Sequence, residues 1–285
     1  MKNAIEIRNL NKAYNGFSLK DIKLDIPSGT ITGLIGENGA GKTTLIKSIL
    51  SIIKIDSGKI NIFDKDISKY DAIIKENIGV VLDNMFFPEL LTPNAISYLM
   101  KDIYKTWNSG LFKNYLKEFK LPDNKKIKEF SKGMRKKLEI ATALAHSPKL
   151  LILDEPTSGL DPVVRSEILD IFLKFIKDEE HTILLSTHIT SDLEHIADYI
   201  AFMDNGEIIL NDTKDDILYN YGVLKCNIDD FNKIDIKDIV RYRKNKYNYD
   251  ILIKNKELLS KKYNNYIIDK ISLEDLMVLY IKGDK

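Results

Sequence analysis

The sequence predicts an α/β fold: a domain with a mainly parallel sheet, an antiparallel β subdomain and an all-helical insertion, followed by a small C-terminal α/β domain. Three observations carry this prediction. Residues 4–10 and 21–26 alternate apolar and polar side chains, as half-buried strands do. Short apolar runs then alternate with helical stretches, which is typical of a parallel sheet. After Thr213 the composition shifts towards Lys, Asn and Tyr.

Composition is that of an ordinary soluble globular protein. The chain has 285 residues, with 43 Lys+Arg against 42 Asp+Glu and a net charge of +1. Such a balance gives no global field for nucleic acid or membrane. The single cysteine, Cys226, cannot form an internal disulfide, which favours a reducing cytosol. We expect no signal peptide in the N-terminal MKNAIEIRNLNKAY and no membrane-spanning helix.

The elements follow in a simple order from the N-terminus. After the antiparallel strands, Thr30–Ile35 is expected to form a buried strand that runs into a glycine-rich turn and then a helix over 43–52. Apolar residues at every third or fourth position predict an all-helical insertion over about 84–148. The alternating pattern resumes with strands at 150–153, 182–185, 199–203 and 207–210 and a helix over 163–177. We place this domain at residues 1–213.

Residues 214–285 are predicted to form the accessory α/β domain. Strands are expected at 223–228, 249–253 and 266–271, and a last helix begins at Ser272 with Asp275 three residues on. Basic residues cluster at 241–246, with aromatic residues nearby. Contact with nucleic acid or anionic lipid is one interpretation of this cluster; a solvated face is the favoured one, because Lys and Arg occur throughout the chain.

The clearest motif is Gly36-Glu37-Asn38-Gly39-Ala40-Gly41-Lys42-Thr43, which fits G-x-x-x-x-G-K-[ST] between a strand and a helix. Its glycines allow the backbone N–H groups to point at phosphates. Lys42 would reach the β and γ phosphates, and the Thr43 hydroxyl would hold Mg²⁺. The motif predicts ATP or GTP binding. The expected contacts are Gly36, Asn38, Gly39, Ala40, Gly41, Lys42, Thr43 and Thr44.

A second acidic site is predicted at the carboxyl end of the strand over 150–153. Asp154 and Glu155 follow that strand directly, at the edge where open α/β sheets bind ligands. Asp154 can bind Mg²⁺. We expect Glu155, pointing the other way along the pleat, to polarise a water molecule for attack on the γ phosphate.

Together these motifs resemble the ATP-binding cassette (ABC) superfamily over about residues 1–213. The order is an aromatic residue, the phosphate loop, a helical insertion, a signature turn, the acidic strand, a short loop and a histidine. The corresponding residues are Tyr14, Gly36–Thr43, 84–148, Phe130-Ser131-Lys132-Gly133-Met134, Asp154 and Glu155, Ser158-Gly159-Leu160-Asp161, and His188.

The resemblance implies a role for each residue. Tyr14 would stack on adenine, the alternative being a surface tyrosine in a turn. Ser131 and Gly133 would contact the γ phosphate of ATP bound to another subunit, which requires a dimer; Ser131 can also be a helix N-cap, and the two roles are compatible. His188 would bond the γ phosphate and position the attacking water. Asp161 would organise the dimer seam, although Pro162 beside it can equally mark an ordinary helix start.

Three positions depart from the pattern. Lys132 stands where the signature usually has its first glycine, and Met134 where it has glutamine. Asp83 replaces the glutamine expected in the loop that reaches Mg²⁺ and the membrane partner. Aspartate can still ligate magnesium, so Asp83 joins Thr43 and Asp154 as an expected metal ligand. Its negative charge leaves open how strongly the site would couple to that partner.

The resemblance identifies an ATPase subunit of an ABC transporter, most similar to those of bacterial exporters, with ATP and Mg²⁺ as cofactors. Its catalytic residues would be Glu155, His188 and Lys42. The expected partners are transmembrane permease subunits and a second copy of the chain or a paralogous ATPase subunit, with no nucleic acid, at the inner face of the cell membrane. The alternatives are a soluble ABC ATPase acting on ribosomes or DNA, and an ATP-dependent switch that barely hydrolyses.

Overall fold

A computed structural model describes residues 2–83 and 87–284, and the predicted α/β class is confirmed. The strands are β1 (Asn3–Tyr14), β2 (Phe17–Pro27), β3 (Ile31–Ile35), β4 (Ser57–Ile62), β5 (Lys65–Asp66), β6 (Ile78–Val81), β7 (Leu150–Asp154), β8 (Thr182–Ser186), β9 (Tyr199–Asp204), β10 (Glu207–Thr213), β11 (Tyr221–Asn227), β12 (Ile239–Lys244), β13 (Asn248–Lys254) and β14 (Ile267–Lys270). The helices are α1 (Lys42–Ile49), α2 (Ile67–Lys75), α3 (Pro93–Ile103), α4 (Ser109–Glu118), α5 (Lys132–Leu144), α6 (Pro162–Phe175), α7 (Thr190–Ile196), α8 (Lys214–Asn220), α9 (Lys256–Lys262) and α10 (Leu273–Lys282).

The central sheet has six strands in the order β10-β9-β3-β8-β7-β6. All neighbours in it are parallel except β9 and β10. Every residue of β3, β7 and β8 is buried, because both faces of the sheet are covered. On β7, Leu151 and Leu153 pack into one apolar core while Leu150 and Ile152 pack into the other. The carboxyl ends of β3, β6, β7 and β8 therefore meet at one edge.

The second sheet is antiparallel, with the order β2-β1-β4-β5. Strand β1 is longer than its alternating pattern over 4–10 indicates and ends at Tyr14, which pairs with Phe17 across a tight hairpin. Its apolar side chains, including Ile5 and Ile7, share the core that covers one face of the central sheet. The sequence analysis did not predict β4, whose first three residues are exposed.

Helices α3, α4 and α5 lie between β6 and β7, within the range of about 84–148 that the sequence predicts for the insertion. Thr92, Asn108 and Ser131 each accept a hydrogen bond from a backbone N–H in the first turn of the following helix, so each is an N-cap. Residues 84–86, at the predicted start of the insertion, lie outside the described part of the chain.

The C-terminal segment forms a four-stranded antiparallel sheet in the order β12-β13-β11-β14. Strand β12 contains the basic residues Arg241, Arg243 and Lys244, for which the sequence analysis favoured a solvated face and did not predict a strand. Helix α10 packs against the nucleotide-domain side: its Tyr280 ring meets Phe202 of β9 edge-on, with centroids 5.4 Å apart. The two parts thus share a packed core, and the domain boundary after Thr213 stays a prediction.

Candidate functional site

The phosphate loop joins β3 to α1 at the carboxyl edge of the central sheet. Lys42 folds back over it, and its ammonium group donates to the carbonyl oxygens of Gly36 at 2.7 Å and Glu37 at 3.1 Å. Gly39 and Gly41 have φ values of 89° and 112°, in the region that favours glycine. Burial lowers the pKa of Lys42, and the nearby carboxylates of Glu155 and Asp154 partly oppose that effect.

Asp154 ends β7 directly beside the start of α1. The hydroxyl of Thr43 donates to its Oδ2 at 2.7 Å, so the two predicted metal ligands are in contact. Asp154 is 1% exposed, and its Oδ1 atom has no hydrogen-bond partner in residues 2–83 and 87–284. A buried carboxylate oxygen without a donor is costly unless a ligand or water satisfies it.

Glu155 turns out of the strand. Its φ of 50° is left-handed, so the prediction that it continues the pleat of β7 is wrong. The chain turns there because the Glu155 N–H donates to Ser186 O of β8 at 2.8 Å. Glu155 Oε2 lies 2.9 Å from Nδ1 of His188 and accepts from the Thr187 hydroxyl at 3.3 Å. Two predicted catalytic residues, from neighbouring strand ends, are therefore in direct contact.

The phosphate loop and Glu155 line an open cavity of about 590 Å³. Its lining comprises Gly16, Phe17, Glu37, Asn38, Gly39, Gly41, Lys42, Thr43, Thr44, Asp83 and Glu155. Asp83 is thus on the cavity wall, although it lies far along the chain from both the phosphate loop and Asp154.

The position of Asp83 follows from its place in the fold. It comes two residues after the end of β6, whose carboxyl end meets the same sheet edge as those of β3 and β7. The sequence analysis did not predict the contribution of Gly16 and Phe17. The tight hairpin between β1 and β2 brings them to the cavity, and the Asn15-Gly16 pair after an alternating strand is the sequence signal that could have indicated that turn.

Five predicted nucleotide contacts are absent from this lining. Gly36 and Ala40 belong to the loop but are buried beneath it, and Gly36 presents its carbonyl oxygen to Lys42. Tyr14 is 48% exposed, with Lys12 Nζ 5.2 Å from its ring centroid. The remaining two belong to the signature turn.

Ser131 and Gly133 lie at the start of α5, outside the cavity wall. The Ser131 hydroxyl accepts from the Met134 N–H at 3.2 Å, which is the N-cap role. Lys132 extends over Gly159, where an added Cβ would collide with its ammonium group. Within one chain, the signature turn and the phosphate loop do not form one pocket.

The donor set fits a magnesium-bound nucleoside triphosphate. Lys42 and the loop N–H groups suit phosphate oxygens. Hydroxyl and carboxylate oxygens, which Mg²⁺ prefers, are supplied by Thr43 and Asp154, and the partnerless Oδ1 of Asp154 is free to serve a metal or its water. No cluster of three or more His, Cys, Asp or Glu side chains suited to a metal occurs in the described residues.

Comparison with known proteins gives the same answer. The family model described as "ABC transporter" matches residues 19–158. The lantibiotic transport ATP-binding protein SrtF of Streptococcus pyogenes is 37% identical over 218 residues, covering 72% of this chain and 89% of that protein. The chain belongs to the ABC transporter family. The ABC ATP-binding protein YtrB of Bacillus subtilis is 32% identical over 205 residues, covering 72% of this chain and 70% of its own length.

Solved structures agree with this assignment. An ATP-binding subunit of an ABC transporter superposes with a TM-score of 0.69 at 29% identity, over 76% of this chain and 92% of that one. The cbiO1 protein of Clostridium perfringens has a TM-score of 0.62 at 31% identity, over 75% and 89% of the two chains. This ABC protein is an ATP-binding, ATP-hydrolysing transporter subunit. Each helix in its described residues is too short or too polar to cross a bilayer.

Proposed function

We propose that this ABC protein powers export by separate transmembrane subunits, with two copies, or one copy and a paralogous subunit, enclosing two Mg·ATP. The names of its relatives support this. SrtF is a lantibiotic transport protein; BcrA of Bacillus licheniformis, 34% identical, is a bacitracin transport protein; DrrA of Streptomyces peucetius, 32% identical, is a daunorubicin/doxorubicin resistance protein. Association with permease subunits places the chain at the inner face of the cell membrane.

The observation that carries the proposal is the contact of His188 with Glu155, which lies on the wall of the phosphate-loop cavity. In the proposed reaction, the loop N–H groups and Lys42 hold the β and γ phosphates. Bound Mg²⁺, held by Thr43 and Asp154 with Asp83 as a further ligand, would neutralise phosphate charge. Glu155 takes a proton from the attacking water. His188 orients the Glu155 carboxylate and hydrogen-bonds the γ phosphate.

Dimerisation is supported by what one chain lacks. Ser131 and Gly133 offer a hydroxyl and a helix N-terminus, groups suited to an anion, yet they lie outside the chain's own cavity. A second subunit would bring its signature turn to the open mouth of this cavity. Tyr14 is half-exposed, so its ring is accessible for stacking on the adenine base of the bound ATP.

An apolar surface supports contact with the membrane subunits. Tyr70 and Ile73 of α2 and Ile103 of α3 are 48%, 56% and 61% exposed, and Ile73 and Ile103 line an open groove of about 630 Å³. The groove also includes Asn77, which directly precedes β6. A cytoplasmic helix of a permease that packs into it would press on the strand that leads to Asp83. A groove so placed suits the transmission of force to the nucleotide site.

The first test is Glu155→Gln, with Glu179→Gln as the matched control at an exposed position remote from the cavity. Loss of the base should slow hydrolysis by about 10²–10⁴-fold, while ATP binding persists because the phosphate loop is unchanged. With Mg·ATP, size-exclusion chromatography should then show a stable dimer. Unchanged turnover in Glu155→Gln would refute the catalytic assignment. A monomer at saturating Mg·ATP would argue against the paired-subunit arrangement.

Two further experiments test the dimer and the transport role separately. Ser131→Arg should bind ATP like the wild type yet neither dimerise nor hydrolyse it, whereas Lys42→Ala should lose ATP affinity with its phosphate contact. Purification of the tagged chain from detergent-solubilised membranes should recover a polytopic membrane protein. Recovery of ribosomes or DNA in its place would favour the soluble ABC alternative.

A further inference from the structure

Asp192, in the first turn of α7, has no role in the site described above. It is 1% exposed, and each of its carboxylate oxygens accepts a short hydrogen bond from a different element. The Thr157 hydroxyl donates to Oδ2 at 2.6 Å, and Arg165 Nε of α6 donates to Oδ1 at 2.5 Å. Arg165 also donates to the Ser191 hydroxyl at 2.7 Å. One buried carboxylate thus joins α7 to the loop after β7 and to α6.

The loop held by Asp192 begins with a backbone conformation that an L residue rarely adopts. Glu155 has a φ of 50°, and such a residue keeps a left-handed conformation only when its surroundings impose it. On its N-terminal side, the Glu155 N–H is fixed by Ser186 O at 2.8 Å. On its C-terminal side, Thr157 lies two residues after Glu155, and its hydroxyl is held by the hydrogen bond to Asp192.

Helix α7, which contains Asp192, also follows His188, the residue that contacts Glu155. His188 precedes α7, and the Asp192 N–H donates to Ile189 O at 3.2 Å, closing the turn between them. The Ile189 N–H in turn donates to the Thr187 hydroxyl at 3.0 Å. Asp192 is therefore connected by short hydrogen-bonded segments both to Glu155 and to His188, whose side chains meet at 2.9 Å.

We propose that Asp192 is a positioning residue for ATP hydrolysis, which holds Glu155 in its left-handed conformation against His188 by clamping Thr157 and Arg165. The inference rests on the proposed role of Glu155. Charge matters to the clamp, because hydrogen bonds that involve an ionised donor or acceptor are stronger than neutral ones. An amide at this position would keep the shape of the side chain but lose its charge and one of its two acceptor atoms.

The test compares Asp192→Asn and Thr157→Val with the control Glu194→Gln on the same helix. Glu194 is exposed and accepts from the Leu273 N–H, which a glutamine oxygen can also do. We expect kcat to fall by at least about 10-fold in both test variants, a barrier increase of about 1.4 kcal/mol. The KM for Mg·ATP should stay within about twofold, since the phosphate loop is untouched. The control should match the wild type.

A double-mutant cycle separates positioning from general stability. If Thr157 acts through Asp192, the double variant should be no slower than the slower single variant, whereas independent effects would multiply. Arg165→Lys retains a cation, so its kcat should fall less than that of Asp192→Asn. If Asp192→Asn does not fold, Arg165→Lys and Thr157→Val together test the proposal. A lower melting temperature with unchanged kcat per folded molecule, or multiplicative losses, would overturn the proposal.

Failure of the proposed function gives a different result. If Glu155→Gln hydrolyses ATP at the wild-type rate, the base is misassigned and the Asp192 proposal falls with it. If Glu155→Gln is inactive but Asp192→Asn and Thr157→Val retain wild-type kcat, the proposed function stands and only the positioning role is refuted.

Discussion

Gly41→Ala should be substantially more destabilising than Gly39→Ala, although both substitutions add one methyl group to the same loop. Both glycines have left-handed φ values, 112° for Gly41 and 89° for Gly39. Their surroundings differ. A Cβ on Gly41 would lie 2.7 Å from Phe17 Cζ and 2.9 Å from both Leu19 Cδ2 and Met203 Cε, whereas a Cβ on Gly39 would have no neighbour within 4 Å.

The magnitude follows from three contributions. A left-handed alanine costs roughly 1–2 kcal/mol at either position. Loss of chain entropy in the unfolded state returns about 0.4–1 kcal/mol, again in both variants. Only Gly41→Ala adds an overpacking cost of about 1–3 kcal/mol, because Phe17, Leu19 and Met203 must move. Gly39→Ala should thus lower the free energy of unfolding by about 0–1.6 kcal/mol, and Gly41→Ala by about 1–4.6 kcal/mol.

Urea denaturation of the nucleotide-free protein, followed by far-ultraviolet circular dichroism, measures this difference. Both variants should keep the wild-type m-value, and the midpoint of Gly41→Ala should be the lower. Because Phe17 also lines the nucleotide cavity, Gly41→Ala should weaken ATP binding as well. Equal midpoints for the two variants would refute the packing argument, since the backbone contribution is common to both.

Three further predictions concern other parts of the molecule. His146 is 1% exposed, and burial lowers its pKa, so the folded state resists protonation of this side chain. The protein should therefore lose stability as the pH falls below the unfolded-state pKa of about 6.5. The difference in unfolding free energy between wild type and His146→Gln should shrink between about pH 7.5 and 5.5, and parallel pH curves for the two proteins would contradict this. Leu276→Ala, at a fully buried position of α10, should lower the free energy of unfolding by about 2–5 kcal/mol, with one transition for the whole chain; a separate early transition of residues 214–284 would show that the shared core is not cooperative. Asp83→Asn should raise the magnesium concentration for half-maximal ATPase activity, and a titration that superimposes on the wild type would show that the Asp83 carboxylate is not a metal contact.

Local sequence was sufficient for the elements whose signals are contiguous. Strand β3, the phosphate loop and α1 follow one another without interruption, and the five buried residues of β7 end directly at Asp154. In these segments hydrophobic pattern, glycine placement and strand length all favour one structure. The α/β class and the ATP-binding motif could therefore be predicted from the residues alone.

Features that depend on distant partners could not be predicted. Strand β12 is an edge strand in which every residue is half-exposed or exposed. Its sequence therefore shows little of the alternation of apolar and polar side chains that predicts a strand, and its basic residues obscure it further. The left-handed Glu155 is fixed by Ser186, and Thr157 pairs with Asp192 across 35 positions. No periodicity within a short window carries such information, because the fold alone brings these residues together.

The charges of the cavity give a physical reason for the metal in the proposed reaction. Its lining contains three carboxylates, those of Glu37, Asp83 and Glu155, and Asp154 lies just behind Thr43. Lys42 is the one cationic side chain among the described lining residues, and it already serves two carbonyl oxygens of its own loop. A triphosphate that binds here would be repelled by these carboxylates. Backbone N–H groups offset part of that repulsion, and a divalent cation between the phosphates and Asp154 would offset much of the rest. Asp83, where the family resemblance led us to expect a neutral glutamine, supplies one of these carboxylates, so we expect it to strengthen that dependence on the cation.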